Sequence, residues 1–316
     1  MSGRRNLMIA KAVEGFPVTD TVFDVEPDSD NLTFEFCLSG NSVVDFGDGT
    51  TYTQTVPLKT SGATMDVATY GVQHTYAAPG TYTVIISPLD NTGFWCTMDA
   101  STDAFKLTTV LRQIGTMQKS VNHMFYNEHK LREFAKGVHI PDGITAINSF
   151  IGGNKTINIP LFTKFNDDFT IPDSVTNLRT GFGNHGPSNL VELPDSFKLP
   201  SKLVDGFYCF YNCSGLKKIP ADFKIPKTCK NLQRFFGFCF ELEFDISNLF
   251  PEEWADGGYT CDLSHFAWNV SGLTGTLPQF IYDGRNNFTH NTESFGACTK
   301  LTNYNDIPAS WGGGGA

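Results

Sequence analysis

The sequence predicts a mainly β protein in two parts, a small β-sandwich followed by a solenoid of short repeats. Three observations carry that expectation. Between residues 18 and 100, apolar and polar residues alternate, and the runs are punctuated by Gly- and Pro-containing turns. From about residue 120 a Phe- and Leu-anchored pattern recurs at the spacing of a stacked repeat. The chain also carries 28 Phe in 316 residues, more than a globular protein of this size ordinarily holds.

The elements follow in order. Residues 1–17 read as an N-terminal arm whose apolar run before Lys11 is shorter than the ~7–15 residues of a secretory leader. No stretch is long enough to span a bilayer. Synthesis in a cytoplasm without an export signal is the expectation. Residues 18–104 read as the sandwich. Leu32, Phe34, Phe36 and Leu38 share one face of a strand, and a second strand from Val43 runs into the Gly47-Asp48-Gly49 turn, where glycines accept positive φ. A Pro79-Gly80 turn then feeds a strand with Tyr82, Val84 and Ile86 on one face.

Asp45-Phe-Gly-Asp-Gly49, followed by His74-Thr-Tyr-Ala-Ala-Pro-Gly-Thr-Tyr-Thr-Val84, resembles the PKD (polycystic kidney disease) domain. The resemblance implies an immunoglobulin-like sandwich used as a spacer or interaction module, without catalysis. Val44 stands where that family often has Trp, so Trp95 is expected to fill the core instead. Asp45 and Asp48 are read as turn carboxylates rather than calcium ligands, because an EF-hand loop needs more oxygen donors and a Glu at its twelfth position.

Residues 105–120 read as a linker or cap of the solenoid. Leu107, Val110, Leu111 and Ile114 also fit one amphipathic helix, and the cap is preferred because an end repeat needs covering. Over residues 121–316 the pattern is Phe-x-x-Cys/Asn-x-x-Leu and then Ile-Pro or Leu-Pro. Its clearest copies are Phe210…Cys213…Leu216 with Ile219-Pro220, and Phe295…Cys298…Leu301 with Ile307-Pro308. Anchors at Phe125, Phe150, Phe182, Phe210, Phe236, Phe266 and Phe295 lie 25, 32, 28, 26, 30 and 29 residues apart. Cys213, Cys239 and Cys298 then form a column of small buried groups, with Cys213 and Cys239 on adjacent repeats within reach of a bridge. Trp311 is placed to cap the core, and the Gly312–Gly315 run reads as a flexible end.

This pattern resembles the BspA-like leucine-rich repeats, over roughly residues 120–312. The resemblance implies a right-handed solenoid with a short strand per repeat, used as a binding or adhesion surface.

Chemistry is sparse. The eight cysteines include no C-x-x-C pair and no His at zinc-finger spacing, so reduced thiols packed as small apolar groups are expected. A net charge of −10 without any basic run argues against nucleic acid. Glu241, Glu243, Glu252 and Glu253 are read as a solvated face rather than a glycosidase pair, and no catalytic, cofactor or metal site is assigned. Sequons at Asn31, Asn154, Asn212, Asn269 and Asn287 are read as repeat and turn residues. Tyr208, Tyr211, Phe238 and Phe240 are read as widening the core, with sugar binding as the alternative. The whole points to a non-enzymatic structural or adhesive protein. A multi-copy bacteriophage virion surface component (head decoration, head fibre or tail appendage) is the expectation, made in the host cytoplasm. It would be held to capsid or tail proteins by its N-terminal part, with the solenoid meeting a host-surface protein or glycan, and without membrane contact. A bacterial or protist cell-surface adhesin is the alternative.

Overall fold

The computed structural model describes residues 15–60, 65–98, 107–152, 161–183 and 189–315. The expected attachment arm up to residue 14, the Asn184–Ser188 insertion and Asn154 lie outside the described residues. The protein is mainly β, with 26% strand against 8% helix, in mixed sheets.

The first half contains β1 (Thr21–Val25), β2 (Thr33–Asp45), β3 (Thr51–Val56), the short helix α1 (Val67–Tyr70), β4 (Gly71–Thr75), β5 (Tyr82–Pro88), β6 (Trp95–Thr97) and β7 (Thr108–Gln113). Two strands expected from the sequence are one. β2 runs unbroken for 13 residues, with Gly40 at φ 91° inside it. A side chain there would run into the Gly93 carbonyl, so glycine is needed both for the backbone angle and for the close approach. The first half of β2 pairs with β4 (Phe36↔Val72) and β6 (Leu38↔Cys96), and the second half with β3 (Val44↔Tyr52) and β5 (Val44↔Ile86). The period-2 pattern then does its work: Phe23, Phe34, Phe36, Val44, Val84 and Ile86 are fully buried together. Trp95 does not join them. It packs in a separate small cluster with Cys37 and Met65, and the Phe residues fill the main core without it.

The helix considered for this segment does not form over residues 107–114. Thr108, Thr109 and Val110 are β-branched and favour the extended chain, and β7 lies between β1 (antiparallel) and β9 (Glu133–Phe134, parallel). One hydrophobic core therefore runs without a break from Phe23 to Trp311.

Beyond β7 the strands shrink to β8 (Phe125–Tyr126), β9, β10 (Ile151–Gly152), β11 (Phe244–Asp245), β12 (Thr260–Asp262), β13 (Leu273–Thr274) and β14 (Asn287–His290). Order comes from parallel bridges between successive repeats, which link Ala146, Asn177, Asp205, Asn231 and Asp262 in one file. Asn177, Asp205, Asn231 and Asp262 each accept, through a side-chain oxygen, the backbone N–H two residues on.

The backbone also marks the true register. Every non-glycine residue with positive φ among the described residues belongs to one of two columns. The first is His123, Ser149, Thr180, Tyr208, Arg234, His265 and Glu293; the second, four residues on, includes Asn127, Asn212, Phe238, Asn269 and Ala297. The residue two after each member of the first column is the anchor: Phe125, Ile151, Phe182, Phe210, Phe236, Ala267 and Phe295. The steps are therefore 26, 31, 28, 26, 31 and 28 residues, a cycle that repeats every three units. The strand pairing Ile151↔Phe125 agrees.

Two expected anchors, Phe150 and Phe266, are thus one residue out of register. Both are still fully buried, in the column just before the anchor. The two columns compensate in volume. They do so where Phe150 accompanies Ile151, Phe266 accompanies Ala267, and Gly181, Cys209 and Ser294 precede the large Phe182, Phe210 and Phe295; Met124–Phe125 and Phe235–Phe236 instead bury two large residues in succession. Rings follow one another through the stack, with Phe182–Phe210 at 5.4 Å and Phe210–Phe236 at 5.6 Å, both stacked.

The thiols have a specific part in this core. Cys213, Cys239 and Cys298 each donate S–H to the anchor carbonyl of the preceding repeat, to Phe182 (3.1 Å), Phe210 (3.1 Å) and Ala267 (3.3 Å). Burial pushes all three thiols well above their ordinary range, Cys298 to about 12. All eight cysteines are buried and unbridged. The terminal glycines are not a loose end up to residue 315. Gly315 N–H donates to Ile307 O (2.9 Å), Gly313 N–H to Pro308 O (3.2 Å), and the Tyr304 hydroxyl to Gly312 O (2.8 Å). Glycine is what allows this, because a Cβ at Gly313 would overlap Ile307. The fold-back holds Trp311 against Phe295, stacked at 6.5 Å, and against Phe288 at 5.7 Å.

Candidate functional site

The residue after each anchor faces outward, and its identity shows what the repeats expose. Tyr126, Tyr211 and Trp268 hold this position in three repeats, and Gly152, Gly183, Gly237 and Gly296 in the others. The glycines make room for the rings. A Cβ on Gly237 would lie 3.2 Å from the Tyr211 ring, and one on Gly296 2.8 Å from Trp268. Around Tyr211 and Trp268 the left-handed positions add Tyr208, Arg234, Phe238 and His265.

The result is a continuous aromatic strip outside the core. Tyr208 meets Tyr211 at 4.5 Å, Tyr211 meets Phe238 at 5.5 Å, and Phe238 meets both Phe240 (5.6 Å) and Trp268 (4.8 Å). Arg234 lies over Tyr208 and Tyr211, 5.2 and 5.6 Å from the ring centres, and donates to the Tyr208 hydroxyl. Tyr208, Tyr211, Phe238 and Trp268 are half-buried and Phe240 is 51% exposed. The expectation that Tyr208, Tyr211, Phe238 and Phe240 widen the core is therefore corrected. The core is already filled by the anchor column and its neighbour, and left-handed φ at Tyr208 and Phe238 turns those side chains out. Burial, together with Arg234, holds the His265 imidazole below its usual range.

Trp268 was not singled out in the sequence, because Phe266 two residues before it matched the anchor pattern. The signal that finds it is the aromatic-or-glycine alternation at the position after the anchor.

The other sequence candidates fall elsewhere. Asp45 Oδ1 accepts from Gly47 N–H (2.8 Å), and Asp48 Oδ1 from Thr50 N–H (3.0 Å) and the Thr50 hydroxyl (2.6 Å). The second Asp48 oxygen meets His74 Nε2 at 2.7 Å. Partial burial opposes ionisation of Asp48, but the Thr50 and His74 contacts outweigh it and hold its carboxyl below the ordinary value. Glu241 pairs with Lys217 (3.2 Å) and Glu253 with Lys227 (3.6 Å), all at the surface. Asn212 and Asn269 take the second left-handed position, which Asn tolerates better than most residues. Among the described residues no group of three His, Cys, Asp or Glu side chains converges to hold a metal, and no helix is long and apolar enough to cross a membrane.

No family model, no curated protein and no solved structure matches the chain.

Proposed function

We propose that the protein is a non-enzymatic structural and adhesive component of a bacteriophage virion surface. Its immunoglobulin-like sandwich forms a base, and its leucine-rich-repeat solenoid presents the aromatic strip to the host surface. The single observation that carries the adhesive part is the strip itself. Tyr, Trp and Arg held rigidly outside a filled core, over glycines that make room for them, are the residue types that dominate binding hot spots. Anchor–neighbour packing and the thiol–carbonyl bonds fix the platform, so little side-chain entropy is lost on contact.

The thiols support assembly in a reducing cytoplasm. A core with buried cysteines that donate S–H to backbone carbonyls is built around the reduced form, as expected of a virion part rather than a secreted, disulfide-stapled adhesin.

Two measurements test the reading. The chain is expected in mass spectra of purified phage particles from the source culture, and its absence from them overturns the virion placement. The full chain is expected to bind host cells, with Tyr211→Ala/Trp268→Ala reducing affinity by about a hundredfold while the melting temperature changes little. Unchanged binding overturns the role of the strip.

A further inference from the structure

Where the N-terminal sheet meets the first two repeats there is a cleft of ≈ 560 Å³, a size typical of small-molecule sites. Its walls come from four places: Lys59 just after β3, Trp95 on β6, Lys119 and Ser120 just before the repeats with Asn122, and Asn148 one repeat on. It is separate from the aromatic strip, which lies on later repeats, and it stands whether or not that strip binds.

Three features set this cleft apart. The first is charge. In a chain of net charge −10, two lysines line it and no acidic residue does among the described residues; the Lys59 ammonium also lies 5.9 Å from the Tyr70 ring centre. Among the described residues neither Lys59 nor Lys119 has a carboxylate within ion-pair distance, as is also true of Lys202, Lys218 and Lys300, and Lys59 acts on the Asp66 carboxylate from further off. The second is unspent hydrogen bonding. Trp95 is only 2% exposed and its indole N–H has no acceptor; the buried Asn148 side-chain oxygen has no donor.

The third is order in the backbone, where four lining residues have hydrogen-bonded N–H groups. Lys59 N–H donates to Ser39 Oγ (3.2 Å), Lys119 N–H to Phe94 O (2.8 Å), Asn122 N–H to Ser120 Oγ (3.1 Å) and Asn148 N–H to Asn122 Oδ1 (2.9 Å). The two orphaned atoms are covered in the free chain, so a ligand reaches them as neighbouring side chains shift.

We infer that the cleft binds an acidic monosaccharide unit, a pyranose bearing a carboxylate. The carboxylate lies between the Lys59 and Lys119 ammonium groups. The ring hydroxyls satisfy the two orphaned atoms, one accepting from the Trp95 indole N–H and another donating to the Asn148 oxygen. A hydroxyl serves either role, which a bare anion cannot do, since it accepts only.

Calorimetric titration of the full chain with sodium glucuronate and N-acetylneuraminate tests this, with glucose and acetate as the neutral and bare-carboxylate probes. Saturable binding is expected for at least one acidic sugar, none for glucose, and binding at least about tenfold weaker for acetate. Lys59→Met and Lys119→Met, which keep the side-chain stems at partly exposed positions, are each expected to weaken the acidic sugar by about tenfold. In ¹⁵N spectra, the indole resonance that Trp95→Phe removes is expected to shift on saturation. Should Trp95→Phe fail to fold, Asn148→Leu is expected to weaken binding instead. No saturable binding means that water satisfies the two atoms and overturns the proposal. Equal affinity for acetate, or binding indifferent to both lysine substitutions, overturns it as well.

Discussion

The two halves of the chain share one core but reach order by opposite routes. In the N-terminal half, long antiparallel strands satisfy the backbone and period-2 alternation sorts side chains to the inside. In the repeat half, strands of mostly two residues contribute little. Left-handed turns recur at fixed places, and columns of side chains fill the space between them. The first half therefore depends on pairing between strands distant in sequence. The second depends on what the residues just before and just after each anchor permit. The difference teaches where each half is vulnerable, to loss of bulk in one column or to loss of space in the other.

The sharpest way to break the comparison is to remove one ring from each half. Phe36→Ala and Phe210→Ala each empty a fully buried aromatic site, and each is expected to cost about 3–5 kcal/mol in chemical denaturation. Because the core is continuous through β7, both variants are expected to unfold in one transition. Two separate transitions would show that the halves are independent after all.

Adding an atom is a smaller perturbation. Gly40→Ala introduces a Cβ beside the Gly93 carbonyl at positive φ, and Gly183→Ala introduces one against the Tyr208 carbonyl and the Tyr211 amide. Each is expected to lose about 2–3 kcal/mol. Gly143→Ala, also at positive φ but with nothing within 4 Å of its Cβ, is expected to cost about 1 kcal/mol and serves as the control. Equal losses at Gly40 and Gly143, the two at positive φ, would mean that backbone conformation, not space, sets the penalty there.

The smallest effect is electrostatic and is read most directly at one turn of the first half. Asp48, held below its ordinary pKa by Thr50 and His74, contributes stability that is present above the unfolded carboxylate range. That contribution disappears as pH falls through the lower folded value. Asp48→Asn is expected to cost at most about 1 kcal/mol at pH 6, with the difference from the parent chain vanishing near pH 2. A difference that persists at pH 2 would assign the effect to the turn's hydrogen bonds rather than to charge.

Much of this architecture was legible in the sequence, and the failures have physical causes. Phe34, Phe36 and the Asp45–Gly49 turn announce themselves because alternation and turn chemistry are local. The repeat was visible in Phe210, Phe236 and Phe295, where the anchor is the large residue. It slipped at Phe150 and Phe266 because volume can pass to the neighbouring position while the backbone register stays put. Strand β7 was hidden because Leu107, Val110, Leu111 and Ile114 satisfy a helical spacing equally well; only pairing with β1 and β9 decides. The aromatic strip was misread because buried and exposed rings look alike until left-handed φ at Tyr208 and Phe238 is known. The cleft at Trp95 joins residues from four separate segments, and no sequence pattern records that.

The buried cysteines extend from Cys37 in β2 to Cys298 in the last repeat. Each is a chemical timer placed by the fold itself. A thiol that must leave the core before it can be alkylated reports how often its own neighbourhood opens. Timed alkylation of the untouched chain, read peptide by peptide, would therefore rank the opening of every layer from sheet to final repeat without altering a single residue.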